Sequence, residues 1–166
     1  MQRRRGAPDT AWTVAGQATS NAKGEITAFT RARGTRELRL VYYPHGGADA
    51  NRGSNLLSLI VRQDALLKLS RRTLRNGQTL RFRGRVRGTI PRAGARVQLQ
   101  VKLRTGWLTF KRLTVKPRSG GRFTARYTFR RTTARTRYRF RVRVLPRSTS
   151  TYATGYSASR SVVVRP

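Results

Sequence analysis

In two stretches of this chain, arginine alternates with apolar residues at a period of two. Across 80–87, Leu80, Phe82 and Val86 are interleaved with Arg81, Arg83, Arg85 and Arg87. Across 137–144, Tyr138, Phe140, Val142 and Val144 are interleaved with Arg137, Arg139, Arg141 and Arg143. Successive side chains on a strand point to opposite faces, so each stretch reads as a half-buried strand with an apolar row inward and a guanidinium row outward. Val97, Leu99, Val101 and Leu103 share a strand face in the same way, as do Phe123, Ala125, Tyr127 and Phe129. Asn76-Gly77, Arg104-Thr105-Gly106 and Ser119-Gly120-Gly121 mark turns between them, because Gly and Asn accept the positive φ of tight reversals.

From residue 66 onward the pattern predicts seven strands, at roughly 66–70, 79–87, 95–103, 107–115, 122–129, 136–144 and 156–165, with no helical periodicity between them. The fold class is all-β, and seven short strands in about 100 residues suit an immunoglobulin-like β-sandwich. A five-stranded barrel is the alternative, but long two-faced strands fit two stacked sheets better. In a sandwich, 79–87 and 136–144 belong to opposite sheets, so their arginine rows cover two outer surfaces instead of lining one groove.

Charge follows this division. The 166 residues include 38 Lys or Arg against 5 Asp or Glu, for a formal charge of +33. All the acids, Asp9, Glu25, Glu37, Asp49 and Asp64, fall in the first 64 residues, and 65–166 carries 28 basic residues and none. That segment forms no internal side-chain salt bridge and attracts anions from solution. Arg outnumbers Lys 33 to 5, which either a GC-rich coding bias or selection for guanidinium produces. With no cysteine, a disulfide framework, a thiolate zinc site and a thiol nucleophile are all excluded. The longest strongly apolar run, 56–61, is far below the roughly 18–20 residues of a membrane span. Pro8, Asp9 and Thr10 stand where a signal peptide needs its apolar stretch.

The first part of the chain repeats the second. Trp12 matches Trp107, Gly24-Glu25-Ile26-Thr27-Ala28 matches Gly121-Arg122-Phe123-Thr124-Ala125, Thr35-Arg36 matches Thr136-Arg137, and Ile60-Val61-Arg62 matches Val163-Val164-Arg165. A period near 100 residues means tandem domains. The expected organisation is an incomplete immunoglobulin-like repeat at 1–63, a truncated copy whose first strands are missing, followed by a complete seven-stranded domain at 64–166. The inner face of the first would lack a covering sheet.

The stretch from Trp107 through Thr114, the Gly121-Arg122-Phe123 turn, the Thr136-Arg137-Tyr138-Arg139-Phe140 strand and Tyr152-Ala153-Thr154 before Ser159-Arg160-Ser161-Val162-Val163-Val164 resemble a known family. They are similar to the tandem immunoglobulin-like, fibronectin type III-like repeats of extracellular actinobacterial proteins. Tyr138, two residues before Phe140, matches the tyrosine corner, whose hydroxyl ties the strand to an upstream backbone group; Leu38 replaces it in the first copy. The resemblance implies an extracellular or cell-surface spacer or adhesion module attached to upstream domains of the same protein.

No residue is assigned to catalysis, to a cofactor or to a metal. His45, in the loop with Asp49, lacks the second histidine or nearby carboxylate that a metal site needs. Glu25, Glu37 and Asp64 sit on separate elements, so a carboxylate pair for hydrolysis is not expected. The Gly-rich turns lead into strands and therefore lack the helix N-terminus that cradles phosphate. Trp12 and Trp107 are either exposed sugar platforms or, in the commoner use, core anchors between sheets. The interleaving places Phe82, Phe123, Tyr127, Tyr138 and Phe140 inward, which leaves the charged faces without base-stacking platforms. The expected function is a non-catalytic spacer whose arginine rows hold cell-wall or surface polyanions loosely and nucleic acid without sequence preference. The alternative is a dedicated polyanion binder, of nucleic acid or acidic glycan, using Arg81, Arg83, Arg85, Arg87, Arg137, Arg139, Arg141 and Arg143.

Overall fold

The computed structural model of the chain describes residues 1–5, 11–41, 56–147 and 150–166. They form two compact units, Met1–Val61 and Arg62–Pro166. In the first, β1 (Gln2–Arg4), β2 (Arg36–Leu38) and β3 (Leu57–Leu59) make an antiparallel sheet in that order, with Arg3 opposite Glu37 and Glu37 opposite Ser58. Residues 24–28, matched in sequence to the start of a strand, form no strand, and a turn over 21–25 leads into them. The Asn21 side-chain oxygen accepts from the backbone N–H groups of Lys23 and Glu25, which closes the chain locally where a strand would need a neighbour.

The second unit is all-β and builds a two-sheet sandwich. Its strands in chain order are β4 (Arg62–Gln63), β5 (Ala65–Leu69), β6 (Thr73–Arg75), β7 (Thr79–Val86), β8 (Ala95–Leu103), β9 (Gly106–Val115), β10 (Arg122–Thr128), β11 (Thr136–Leu145), β12 (Ala153–Tyr156) and β13 (Arg160–Arg165). One sheet has the order β10-β7-β5. In the other, β11 pairs with β8 along one edge, and β8 pairs with β9. Along its other edge β11 pairs with β13 over Thr136–Phe140 and with β12 at Arg143 and Val144. β7 and β11 therefore lie in different sheets, as the sequence predicts.

Two details depart from the expected seven strands. The last strand is broken at residues 157–159, where the Ser157 hydroxyl accepts from the Val142 N–H in place of a ladder partner. The first stretch also alternates between layers: β4 and β6 add in parallel to β12 and β13, while β5 joins β7. Strands of two and three residues are too short for periodicity to reveal.

The inward rows meet as predicted for most positions. Leu80, Phe82, Val86, Val97, Leu99, Val142, Val144, Val162 and Val164 are buried. Each such side chain contributes about 1.5–3 kcal/mol relative to exposure. Phe82 packs against Phe140 and Phe110 with ring centroids 5.1 and 5.6 Å away. Gly84 interrupts the inward row of β7 because Phe123, its cross-strand partner, lies over it: an added Cβ would stand 2.1 Å from the Phe123 ring and 2.6 Å from the Leu66 carbonyl oxygen. The Asn76-Gly77 turn, with Gly77 at φ +81°, also ties two loops together. Asn76 donates to the Thr132 carbonyl (2.7 Å) and accepts from its N–H (3.2 Å). Tyr138 does not make the backbone bond of the expected corner: its hydroxyl bonds the upstream Thr132 hydroxyl at 3.3 Å instead. The backbone of Thr132 is already taken by Asn76.

Phe82→Ala should cost about 3–5 kcal/mol through the cavity it leaves, and Gly84→Ala about 1–3 kcal/mol through overpacking against Phe123. Urea unfolding midpoints check both, and a Gly84→Ala chain as stable as the parent would mean that the ring does not sit on this glycine.

Candidate functional site

The outer face of the β10-β7-β5 sheet is built from residues opposite in parity to the core. Arg81 stands directly across from Arg126, and Arg85 across from Arg122. Arg83 stands across from Lys68 on one side and Thr124 on the other. Side chains directly opposite share a face with Cβ atoms about 4.5–5.5 Å apart, and like charges so placed repel. Arg83, Arg85, Arg122, Arg126 and Lys68 are exposed and Arg81 is half-buried. Among the described residues the only side-chain relief is local: Arg85 Nε donates to the Gly120 carbonyl at 3.0 Å. Arg87 lies just beyond β7, with its guanidinium 3.7 Å from the Asp64 carboxylate. Three of the four arginines predicted on this strand thus form one field with three cations the sequence reading did not include. Arg122 and Arg126 alternate with the inward Phe123, Ala125 and Tyr127, so their outward direction was available; the pairing that brings them beside β7 was not.

The arginines of β11 are arranged differently. Arg141 Nε donates to the side-chain oxygen of the buried Gln100 at 2.9 Å. Its guanidinium carbon lies 4.2 Å from the Trp107 ring centroid and 4.3 Å from that of Tyr156, so the cation is held between two aromatic faces. Burial holds the Arg141 pKa below its ordinary value; Tyr156 opposes that shift and Arg143 adds to it. Arg139 donates to the Ser159 hydroxyl at 3.3 Å. Arg143, across from Gln98 and Tyr156, buries its Nε without a hydrogen-bond partner, and Arg137 stands across from Val163. The eight predicted arginines are therefore not brought together: Arg81, Arg83 and Arg85 lie on one face, Arg87 lies beyond it against Asp64, and the four of β11 lie on another face, where Arg141 is stacked and bonded.

Two expectations about aromatics are corrected here. Trp107 is not a core anchor: Lys102 is its cross-strand partner, which puts it on the outer face with Arg141. Tyr127 lies on the inner face but is 44% exposed, because the sandwich is open beside it. The outer face of the second sheet consequently does carry aromatic rings, although each has a cation over it. The same arrangement recurs in the first unit, where Trp12 has Arg39 at 4.3 Å and Arg3 at 4.7 Å from its ring centroid. Register places Arg3 beside Trp12 as it places Lys102 beside Trp107, because Gln2 bridges Thr13.

The described carboxylates are separate and individually engaged. Glu37 accepts from Arg3 Nε at 2.8 Å, Glu25 accepts from the Asn21 side chain at 2.8 Å, and Asp64 faces Arg87. His45, Asp49 and Asp9 lie outside the described residues. Among the described residues no helix is long and apolar enough to cross a membrane.

No protein-family model matches the chain, and no curated protein matches it. Among solved structures, the chain is similar to the CARDB domain of the PF1109 protein from Pyrococcus furiosus, determined in complex with di-metal ions. That likeness has a TM-score of 0.40 at 12% identity, covering 64% of this chain and 96% of the other.

Anions that bridge the crowded cations should stabilise the fold. Millimolar tripolyphosphate is expected to raise the melting temperature by several degrees above sodium chloride of equal ionic strength, since a ligand at 100 times its Kd adds about 2.7 kcal/mol. Arg83→Gln/Arg126→Gln should reduce that difference; differential scanning fluorimetry measures it, and equal shifts in the two salts would exclude anion sites.

Proposed function

We propose that this chain is a non-catalytic, extracellular adhesion and spacer module that holds polyanions on the outer face of the β10-β7-β5 sheet. The observation that carries the reading is the run of like-charged cross-strand pairs, Arg81 with Arg126, Arg85 with Arg122 and Arg83 with Lys68, on a sheet with no carboxylate. Such a face is kept against its own repulsion and gains when a polymer of negative charge lies across it. Residues two apart on a strand stand about 6.6 Å from one another, so Arg81, Arg83 and Arg85 form a row along β7, flanked by rows on β5 and β10. A row of this kind follows a chain of phosphates, sulfates or carboxylates by charge alone and reads no sequence.

The arginines of β11 are the weaker part of that interface. Arg141 already spends its guanidinium on Trp107, Tyr156 and Gln100, and the rings beneath it are not free to stack bases. The repeated cation–tryptophan arrangement around Trp12 and Trp107 supports the tandem-repeat reading, in which two copies of one plan space upstream domains of the same protein from a surface. The extracellular location rests on the family resemblance.

Elution from heparin and from DNA as a function of sodium chloride tests the proposal. Arg81→Gln/Arg83→Gln/Arg126→Gln should elute at clearly lower salt than Arg137→Gln/Arg139→Gln/Arg143→Gln, and the slope of log K against log salt on duplex DNA should fall by about 0.9 for each contacting cation removed. Equal losses in the two variants would mean that retention reflects net charge and that the β10-β7-β5 face is not a site.

A further inference from the structure

A second binding feature lies on the open side of the same sandwich. Among the described residues, β9 pairs only with β8 and β10 only with β7, so two free edges border one flank of the core. Between them is a cleft of about 260 Å³ walled by Val101, Leu103, Leu108, Phe110, Tyr127 and Phe129. Its floor is a set of rings in mutual contact: Phe110 lies 5.5 Å from Tyr127 and 5.8 Å from Phe140, and Phe129 lies 5.0 Å from Tyr127 and 5.2 Å from Tyr138. Five large apolar side chains of this unit are exposed, and three of them, Leu103 (41%), Leu108 (54%) and Tyr127 (44%), gather here. The other two are accounted for, Tyr156 by its stack on Arg141 and Leu66 by its place among the cations of the outer face.

The mouth of the cleft has one sign of charge. Arg130 and Arg131 line it, both are exposed, and no carboxylate or carbonyl among the described residues is bonded to either side chain. They stand on a loop that is fixed from both ends of Thr132, by Asn76 through the backbone and by Tyr138 through the hydroxyl. A pre-positioned cation pair over an apolar, ring-floored cleft selects a ligand with an apolar body and an anionic end. At about 260 Å³ the cleft has room for a single short alkyl chain.

We propose that this cleft binds a free, single-chain alkyl carboxylate, with its chain against Leu103, Leu108 and Tyr127 and its carboxylate on Arg130 and Arg131. The site is separate from the polyanion face, which lies on the outside of the sheet, and needs none of the cations of β7.

Decanoate is the probe, titrated into the full chain below its micelle concentration while the methyl resonances of Leu103 and Leu108 are followed by NMR. Decanoate should shift both leucines saturably, acetate should not, and decyltrimethylammonium should bind at least ten-fold more weakly. Arg130→Gln/Arg131→Gln should weaken decanoate about ten-fold, the effect expected when a charge-assisted contact is lost, while heparin elution of the same variant stays close to that of a chain lacking two exposed arginines elsewhere. Leu108→Gln should weaken decanoate without altering heparin elution, and unchanged melting curves verify that both variants fold. Equal binding of decanoate and its ammonium analogue, equal binding to the arginine variant, or shifts at these leucines only with decanoate held in phosphatidylcholine vesicles would each overturn the proposal, the last by making the occupant a bilayer.

Discussion

Between residues 65 and 166 every ionisable charge of a carboxylate is missing while 28 cations remain, so cohesion must come from the apolar rows that meet between the sheets. Among the described residues, all eighteen buried apolar residues of the core lie in this unit. A fully buried aliphatic or aromatic side chain contributes about 1.5–3 kcal/mol, whereas a like-charged cross-strand pair costs up to about 1 kcal/mol. Packing therefore decides the fold, and the cations are free to decide only what the outside of the fold attracts.

The two sheets handle the same surplus of charge by different means. On the five-membered path from β9 through β8 and β11 to β12 and β13, polar and aromatic neighbours take up the guanidinium groups: Gln100 and the rings of Trp107 and Tyr156 hold Arg141, and the Ser159 hydroxyl accepts from Arg139. On the β10-β7-β5 sheet the cross-strand neighbours of arginine are arginine, lysine, threonine and Leu66. Unmet donors are available to an outside acceptor at no cost in broken internal contacts, which is why the proposed polyanion surface is the plainer sheet even though the other contains more aromatic rings.

Much of this is legible in the sequence, because period-two alternation states both which residues face inward and which face outward. The rows of β7, β8, β10 and β11 follow from it directly, and the assignment of β7 and β11 to different sheets follows from the sandwich topology that the strand count implies. Trp107 shows where the reading stopped short although the signal was present. Leu103 faces inward, and the two-residue turn at Arg104-Thr105 pairs Leu103 with Gly106, so Trp107 must pair with Lys102 and face outward. The register of β10 on β7 had no such signal, since those strands are not joined by a hairpin and nothing local fixes which arginine meets which. Gly84 was visible as a gap in an apolar row, but its cause, the Phe123 ring lying across it, is a contact between residues 39 positions apart and is expressed only in the assembled sheet.

The free edges of β9 and β10 border an open, apolar flank of the folded unit. An unpaired edge beside exposed leucines invites a strand from another chain. Here β9 carries a bulge between the pairs Leu99–Lys111 and Gln100–Thr109, which leaves Phe110 without an opposite residue and breaks the regular edge at its middle. Lys111 and Arg112 follow at once, and Arg122 and Arg126 stand along the facing edge. A second copy of this chain would have to bring its own cationic edge against these. The same excess of positive charge on which the proposed polyanion face rests thus opposes closure of the cleft by strand addition, in keeping with the proposed small ligand that brings a negative charge of its own.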